Sequence, residues 1–313
     1  MKKMVVTGGA GFIGSTLVRA LLEQGNSQVI ALDDLSSGRK ENLEGVTGKW
    51  QLAIADICDY EAISTIISGA DTVFHLAAIP SVPRSIENPV PSHEVNTNGM
   101  FSVFRACHAG AVRRVVYAAS SSAYGDTEVL PKVESMAANP LSPYAAQKLM
   151  GEYYASVFYN CFGLETVSLR FFNVYGPRQD PSSPYSGVLS IFNKCIVERV
   201  SPTIYGDGEQ SRDFTFVTDV ADLCIKACKA PSSVCGKVYN AGNGNRYTLN
   251  MVWDVLQKIE GVSLKANYGP PRAGDVKHSQ ADTTAAVRDL GHAPRVSLEE
   301  GLGATLAWYR TQI

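Results

Sequence analysis

Gly8-Gly9-Ala10-Gly11-Phe12-Ile13-Gly14 is the stretch that decides the fold of this 313-residue chain. An apolar run over residues 4–7 leads straight into it, and a pattern of helical period over residues 15–24 follows it. Glycines here allow a tight turn and let a phosphate group come close, because no Cβ intervenes. The N-terminus of the following helix offers free N–H groups to an anion. We therefore predict a strand, a turn and a helix that together bind the pyrophosphate of a dinucleotide.

The residue that ends the second predicted strand supports this interpretation. Asp33 lies 19 residues beyond Gly14, where a carboxylate can accept hydrogen bonds from the adenosine ribose. A carboxylate there would repel the 2′-phosphate of NADP, so the sequence favours NAD as the cofactor. Arg39 is near enough in sequence to meet such a phosphate, which keeps NADP as the alternative. Asp56 and Ile57 follow the third strand and are placed to contact the adenine.

Short apolar runs alternate with longer helical segments along the first half of the chain. The runs are apolar throughout, as expected for a parallel sheet covered by helices on both faces. The predicted fold class is α/β, a Rossmann-type doubly wound parallel sheet with a smaller α/β C-terminal substrate-binding region. We expect residues 1–175 to form the first domain and residues 176–313 the second, interleaved with it. The predicted strands cover residues 4–7, 29–32, 52–54, 72–76, 115–119 and 166–171, and the predicted helices cover residues 15–24, 60–67, 95–109 and 145–160.

Helix starts remain recognisable in the C-terminal half, where proline and glycine turns are frequent. Thr218 and Thr248 are predicted N-caps, and Ser297-Leu298-Glu299-Glu300 has the spacing of a capping box. We expect this region to pack on the carboxyl edge of the sheet, where open α/β folds bind ligands.

The composition is that of an ordinary globular protein, with 45% hydrophobic residues, 19% charged residues and a formal net charge of −2. It lacks the basic excess of nucleic-acid-binding proteins, so no nucleic-acid partner is expected. The seven cysteines show no zinc spacing, so no metal site is expected and we interpret them as reduced packing residues. The N-terminal apolar run is too short for a signal peptide, and no segment approaches the roughly 20 apolar residues of a membrane span. A cytoplasmic protein without a membrane partner is predicted.

A second motif indicates the chemistry. Tyr144 and Lys148 lie four residues apart, on one face of the helix expected after Pro143. A tyrosine with an ordinary pKa of about 10 is a poor base at neutral pH, and a neighbouring ammonium group would favour its phenolate. Such a phenolate can take the proton of a carbinol while hydride passes to a nicotinamide. Ser120, at the end of a strand 24 residues upstream, is predicted to supply a hydroxyl to the same group.

On these motifs the chain resembles the extended short-chain dehydrogenase/reductases, and among them the UDP-glucose/UDP-N-acetylglucosamine 4-epimerase family, over essentially its whole length. The matching stretches are GGAGFIG (8–14), HLAA (75–78), SVPRSIENP (81–89), YAASSSAYGD (117–126), SPYAAQK (142–148), LRFFNVYGPRQ (169–179), GDGEQSRDF (206–214) and RAGDVKHSQAD (272–282). The resemblance implies that residues 176–313 bind a nucleotide sugar.

The resemblance also implies roles for individual residues. The catalytic group would be Ser120, Tyr144 and Lys148. The cofactor would be contacted by Gly8, Gly11, Phe12, Ile13, Gly14, Asp33, Asp56, Ile57, Leu76, Ala77, Ala78, Tyr144 and Lys148. The substrate would be contacted by Arg84, Ser121, Ser122, Asn173, Val188, Tyr205, Arg212, Arg272, Asp275 and Ser279.

Within this set, the diphosphate ligands would be Asn173, Arg212 and Arg272, and Asp275 would bind the uridine ribose. The forked donors of arginine suit a pyrophosphate. The alternative is that each arginine only pairs with a nearby acid such as Asp213 or Asp275.

The mechanism that the family implies is an oxidation followed by a reduction. Tyr144, assisted by Ser120, would remove the O4 proton while hydride passes from C4 to NAD. The resulting 4-keto sugar would turn about its link to the diphosphate, and the returning hydride would invert C4. Because no outside reductant is consumed, the cofactor should stay bound between turnovers.

Three alternatives remain open. A nucleotide-sugar 4,6-dehydratase would need an acidic pair just before the tyrosine that is Tyr124 here, where this chain has Ser122-Ala123. A UDP-glucuronate 4-epimerase could use the serines at 120–122 to face a carboxylate. An NAD-sensing Rossmann protein without catalysis would not need Ser120, Tyr144 and Lys148 together.

The preferred sugar depends on Ser279, which occupies the position where epimerases restricted to non-acetylated sugars resemble one another in having a large aromatic. Serine leaves room for an N-acetyl group, so we expect UDP-N-acetylglucosamine and UDP-N-acetylgalactosamine as substrates, with activity on UDP-glucose as well. The alternative is that Ser279 is a small polar loop residue remote from the sugar. The apolar helices near residues 95–109 and 145–160 predict a homodimer, as in the family.

Overall fold

Seven parallel strands form the central layer of the molecule in a computed structural model, which describes residues 2–25, 27–180, 187–271 and 276–312. The strands are β1 (Lys2–Thr7), β2 (Ser27–Asp33), β3 (Trp50–Ile54), β4 (Thr72–His75), β5 (Arg114–Ser120), β6 (Glu165–Phe171), β7 (Asn173–Tyr175), β8 (Thr203–Tyr205), β9 (Ser211–Arg212), β10 (Phe214–Phe216), β11 (Lys237–Ala241), β12 (Tyr247–Thr248) and β13 (Asn267–Gly269). The helices are α1 (Phe12–Glu23), α2 (Tyr60–Ile67), α3 (Val82–Glu87), α4 (Pro89–His93), α5 (Met100–Ala109), α6 (Pro143–Phe162), α7 (Val188–Glu198), α8 (Val217–Lys229), α9 (Leu249–Glu260), α10 (Thr284–Leu290) and α11 (Leu298–Arg310).

The order of the strands in the large sheet is β3-β2-β1-β4-β5-β6-β11. The order reverses between β1 and β4, and a doubly wound sheet binds its ligand in the crevice at such a point. The predicted α/β class and Rossmann topology are confirmed.

Successive side chains of a strand point to opposite faces of the sheet. Because both faces carry apolar side chains, helices cover both of them. Val5 and Val6 of β1 are both fully buried. Val6 lies in one hydrophobic cluster with Leu17 of α1, and Val5 lies in another with Phe104 of α5 and Phe158 of α6. This two-sided burial explains why the middle of β1 is a continuous apolar run rather than an alternating one.

A third hydrophobic cluster, which includes Phe192, Trp253 and Leu302, is formed mainly by the C-terminal half of the chain. These three residues belong to helices α7, α9 and α11. Three short strand pairs accompany them: β7 with β10, β8 with β13, and β9 with β12. The chain also returns to the large sheet after residue 175, because β11 pairs with β6 along its whole length.

The six strands and four helices for which the sequence predicted bounds lie within a few residues of those bounds, and two predictions differ from the structure. The helix predicted over residues 95–109 is a π-helical turn (Glu94–Gly99) followed by α5. The prediction of Thr218 as an N-cap is wrong, because β10 runs directly into α8 and Phe216 takes that position. Thr248 and Ser297 cap their helices as predicted, the latter with a complete capping box. Across the described ranges, no helix is both long and apolar enough to cross a membrane.

Candidate active site

One cavity of about 1280 Å³ opens along the carboxyl ends of the central strands. It brings together residues that lie far apart in the sequence and that were predicted separately as cofactor, catalytic and substrate residues. The predicted residues that line it are Gly8, Gly11, Phe12, Ile13, Gly14, Asp33, Asp56, Ile57, Leu76, Ala77, Ala78, Arg84, Ser120, Ser121, Ser122, Tyr144, Lys148, Asn173, Arg212 and Ser279.

The glycine turn forms the floor of the cavity at the start of α1. Gly8 has a φ of 69°, a conformation that other residues rarely adopt. A Cβ at Gly14 would collide with the carbonyl oxygen of Gly8, so the turn closes only without side chains. The amide of Gly11 donates to the Gly8 carbonyl (3.0 Å), and Gly11 is the N-cap of α1. The helix therefore directs its free N–H groups and the positive end of its dipole into the cavity.

Asp33 closes this turn from the end of β2. Its Oδ2 accepts from the amide of Ala10 and its Oδ1 from the amide of Leu35, both at 2.9 Å. Burial raises the pKa of the Asp33 carboxyl, and the backbone hydrogen bonds oppose this rise. A turn without side chains, a helix N-terminus and a buried acid at the end of β2 fit a dinucleotide.

Arg39 also lies in the cavity wall, and its guanidinium is paired with a carboxylate. Its Nη2 is 3.0 Å from Oδ2 of Asp180, which follows β7 141 residues later in the chain. The guanidinium that would bind the 2′-phosphate of NADP thus already pairs with a carboxylate. This geometry agrees with NAD as the cofactor.

Thr7, the last residue of β1, was not predicted as part of the site. The fully buried Thr7 Oγ1 accepts from the amides of Leu76 and Ala77, each at 3.1 Å, and lies 2.8 Å from Nδ1 of His75. Burial, together with the charge of Lys148, lowers the pKa of His75 to about 3, so its ring is neutral. These contacts fix the backbone at 76–77 against the glycine turn. A hydroxyl directly after the apolar residues 4–6 was the available signal.

Tyr144 and Lys148 are presented by the first turns of α6. Ser142 caps this helix, because its Oγ accepts from the amide of Ala145 at 3.2 Å. Ser85, which was not predicted, accepts from the amide of Tyr144 at 3.2 Å. The Lys148 ammonium is nearly buried and donates to the carbonyl of Ala118 at 3.0 Å.

Burial dominates the electrostatics of this pair. It raises the pKa of Tyr144, and a hydrogen bond with Ser120 opposes this rise. Burial also lowers the pKa of Lys148 to about 8. Desolvation thus disfavours the charged form of each group. That the ammonium of Lys148 favours the phenolate of Tyr144 stays a prediction.

Ser120 and Ser122, at the carboxyl end of β5 and just beyond it, are hydrogen-bonded to each other. Oγ of Ser120 accepts from both the amide (3.2 Å) and the hydroxyl (2.8 Å) of Ser122. Ser120 is thereby held at the strand end, where it reaches Tyr144.

The substrate predictions divide into three groups. Arg84, Asn173, Arg212 and Ser279 line the same cavity as the catalytic residues. Val188 and Tyr205 are not among the residues that line it: Val188 packs against the cluster that includes Phe192, and the Tyr205 ring lies near Gly269 of the neighbouring strand. Substrate contact by these two stays a prediction. Arg272 and Asp275 lie outside the described residues.

Comparison with known proteins agrees with this geometry. Residues 4–242 match the profile of the NAD dependent epimerase/dehydratase family. The chain is 38% identical over 314 residues to a UDP-glucose 4-epimerase of Mycolicibacterium smegmatis, with 99% of each chain covered.

Two solved structures are similar along nearly their full lengths. A UDP-N-acetylglucosamine 4-epimerase from Methanobrevibacter ruminantium, in complex with UDP-N-acetylmuramic acid, has a TM-score of 0.95 and 37% identity, covering 100% of this chain and 99% of that one. A UDP-glucose 4-epimerase of Thermotoga maritima, with UDP-glucose, has a TM-score of 0.93 and 37% identity, covering 99% of both chains.

Proposed function

The chain belongs to the NAD dependent epimerase/dehydratase family, and on that premise we propose that it interconverts UDP-N-acetylglucosamine and UDP-N-acetylgalactosamine, with UDP-glucose and UDP-galactose as further substrates. The coarser assignment is an NAD-dependent UDP-sugar 4-epimerase, as its relatives are. The finer one depends on a single observation at Ser279.

Ser279 provides a small, polar part of the cavity wall. Its Oγ is buried and is without a hydrogen-bond partner among the described residues, although its amide donates to the carbonyl of Ser211 at 3.0 Å. A buried hydroxyl without a partner is costly, so it favours a ligand that brings one. An N-acetyl group supplies both the bulk that a serine leaves room for and a carbonyl that a hydroxyl can bind.

The chain's own residues account for the proton at O4 of the sugar. Tyr144 takes that proton and returns it after the sugar has presented its other face, and Ser120 shares the hydrogen bond. Below about pH 8, the side chain of Lys148 is protonated and adds a positive charge to this group. When bound, NAD accepts the hydride from C4 and gives it back to the opposite face.

Two observations bear on the alternatives. The two positions that would hold the acidic pair of a dehydratase, just before Tyr124, are Ser122 and Ala123. Neither is a carboxylate, so these positions offer no acid for water elimination across C5 and C6. A UDP-glucuronate 4-epimerase stays the second candidate, because Ser121 and Ser122 also line the cavity and could face a carboxylate.

The experiment that tests the proposal offers the purified protein UDP-N-acetylglucosamine, UDP-glucose and UDP-glucuronate separately and follows C4 inversion by NMR. We expect the highest kcat/KM for the acetylated sugar and measurable turnover of UDP-glucose. Turnover of UDP-glucuronate alone would replace this proposal by the second candidate. Absence of inversion with all three would refute epimerase function.

We also propose that the protein is a homodimer. On α6, Met150, Tyr153 and Val157 are 38%, 62% and 44% exposed at helical spacing. Phe101 of α5 is 40% exposed, and its ring contacts Tyr154 of the same helix α6 (centroids 5.2 Å apart). Such a face suits a two-fold contact between the same helices of two copies. Light scattering at micromolar concentration should give a dimer mass, and Tyr153→Glu should give a monomer. A monomeric wild-type protein would contradict this.

A further inference from the structure

Asp213 is a buried carboxylate next to the cavity. It does not line the cavity itself, but it directly follows Arg212, which does. It occupies the single position between β9 and β10 and is fully buried. Burial raises the pKa of its carboxyl, while its hydrogen bonds oppose this rise.

Four donors from three separate segments converge on this carboxylate. Oδ1 accepts from the amide of Asn243 (2.7 Å) and from the hydroxyl of Thr215 (3.2 Å). Oδ2 accepts from the amides of Gly244 (2.9 Å) and Ala281 (3.1 Å). All four lone-pair directions of an ionised carboxylate are therefore used by this chain.

These four donors account for how the carboxylate is held, which the alternative of a simple pair between Arg212 and Asp213 does not. The Arg212 guanidinium donates from Nη1 to the carbonyls of Ser211 (3.0 Å) and Lys277 (3.1 Å). Backbone groups of two segments therefore orient this side chain.

The segments tied to Asp213 are the ones that carry three predicted substrate residues. Arg212 precedes it directly in the chain. The amide of Asn173 donates to the Asp213 carbonyl at 3.0 Å. Ser279 lies two residues before Ala281, on the loop that the carboxylate holds.

Atoms are closely packed at this junction, the point where the segments around residues 213, 243 and 281 meet. A Cβ at Gly242 would lie 2.8 Å from Oδ2 of Asp213 and would collide with the side chain of Ala281. The loop that contains residues 242–244 can approach the carboxylate only because Gly242 has no side chain. A small displacement of the carboxylate is therefore transmitted to the neighbouring segments.

We propose that Asp213 is a positioning residue that sets the relative placement of Asn173, Arg212 and Ser279, and so determines affinity for the UDP-sugar; this rests on the proposed function. The carboxylate touches none of the reacting atoms. It acts by holding three loops at one point, so its removal should weaken ground-state binding of the nucleotide sugar more than the proton transfer at Tyr144.

The test is Asp213→Asn, which keeps the shape but turns one acceptor into a donor that faces an N–H group. Hydrogen bonds to charged groups are strong enough that misplacing one or two substrate contacts should raise the Kd for UDP and the KM for the sugar roughly 10–100-fold. The kcat at saturation should fall less than about threefold, and the NAD content should stay that of the wild type.

The matched control is Asp219→Asn. Asp219 is also buried and also accepts from two loop amides, those of Arg295 (3.1 Å) and Val296 (3.2 Å), but it does not line or frame the cavity. It should lower Tm without changing the Kd for UDP. Thr215→Val provides a milder variant of the same junction, and it should show the same rise in KM with little loss of kcat, on a smaller scale.

The outcomes separate the two proposals. Wild-type protein that binds no UDP would overturn the proposed function and this inference together. Wild-type binding that Asp213→Asn leaves unchanged would overturn the positioning role alone. An equal loss of UDP affinity in Asp219→Asn would also overturn it, since the effect would then be general destabilisation. If Asp213→Asn does not fold, unchanged kinetics in Thr215→Val would decide against the role.

Discussion

Raising the pH above 8 should switch the enzyme off by removing the proton from Lys148. This ammonium is 4% exposed, and burial lowers its pKa from 10.5 to about 8. With that pKa, about nine tenths of the molecules carry the charge at pH 7 and about one tenth at pH 9. Because the phenolate of Tyr144 needs a nearby cation, kcat should fall about tenfold per pH unit above 8.

The stability of the fold should move in the opposite direction. The folded pKa lies below the unfolded one, so the folded chain binds fewer protons between pH 8 and pH 10.5. Stability contributed by this group therefore rises with pH through that window, by roughly 3 kcal/mol at most. A loss of activity in this range accordingly cannot be assigned to a loss of stability at Lys148.

The assay is kcat against pH from 6 to 10 for the wild type and for Lys148→Arg, with NAD content measured at each pH. Arginine keeps its charge throughout this range. The variant should have lower activity but no alkaline limb near pH 8. Wild-type activity that is flat to pH 10, or an unchanged limb in Lys148→Arg, would refute the reasoning.

Four further predictions concern the catalytic tyrosine, the substrate pocket, the cofactor and a buried ion pair. Tyr144→Phe should lower kcat by about 10²–10⁴-fold with the Kd for UDP nearly unchanged, and near-wild-type turnover would remove this residue from the mechanism. Ser279→Tyr should lower kcat/KM for the acetylated sugar far more than for UDP-glucose, since overfilling the pocket penalises the larger substrate; equal effects on both would contradict the substrate proposal. Acid supernatants of purified protein should contain NAD(H), and recovery of mainly NADP would contradict the interpretation of Asp33. Glu152→Gln should destabilise the fold by about 3–5 kcal/mol, seen as a lower Tm, because it leaves the buried Arg170 guanidinium without the carboxylate it binds at 2.7 and 2.9 Å.

The fold could be predicted because its signals are local. The strand, glycine turn and helix over residues 2–23 need only their own sequence to be recognised, and the apolar runs that became β2 to β6 have the same character. The seventh strand, β11, was not predicted. Its five residues carry no distinctive pattern, and its place beside β6 is set by pairing with residues some 70 positions earlier.

The contacts between loops could not be predicted for the same physical reason. The ion pair of Arg39 with Asp180 and the four donors on Asp213 join segments that meet only when the sheet has formed. The sequence shows that Arg39, Asp180 and Asp213 are charged, but it does not show which groups they contact. It offered two acids as partners for Arg212; Asp275 lies outside the described residues, and the structure shows that the guanidinium donates to the backbone carbonyls of Ser211 and Lys277.

Asp33 shows why a residue can be predicted correctly in position and incompletely in role. The sequence suggested an acceptor for the ribose hydroxyls, whereas in the structure each carboxylate oxygen accepts a backbone amide, from Ala10 or from Leu35. An ionised carboxylate has about four acceptor directions, so two remain for a ribose. The two roles are compatible: the backbone amides oppose the rise in pKa that burial causes and so favour the ionised carboxyl, which is the form that both accepts from ribose hydroxyls and repels a 2′-phosphate. The turn that admits the pyrophosphate and the preference for NAD thus depend on the same side chain.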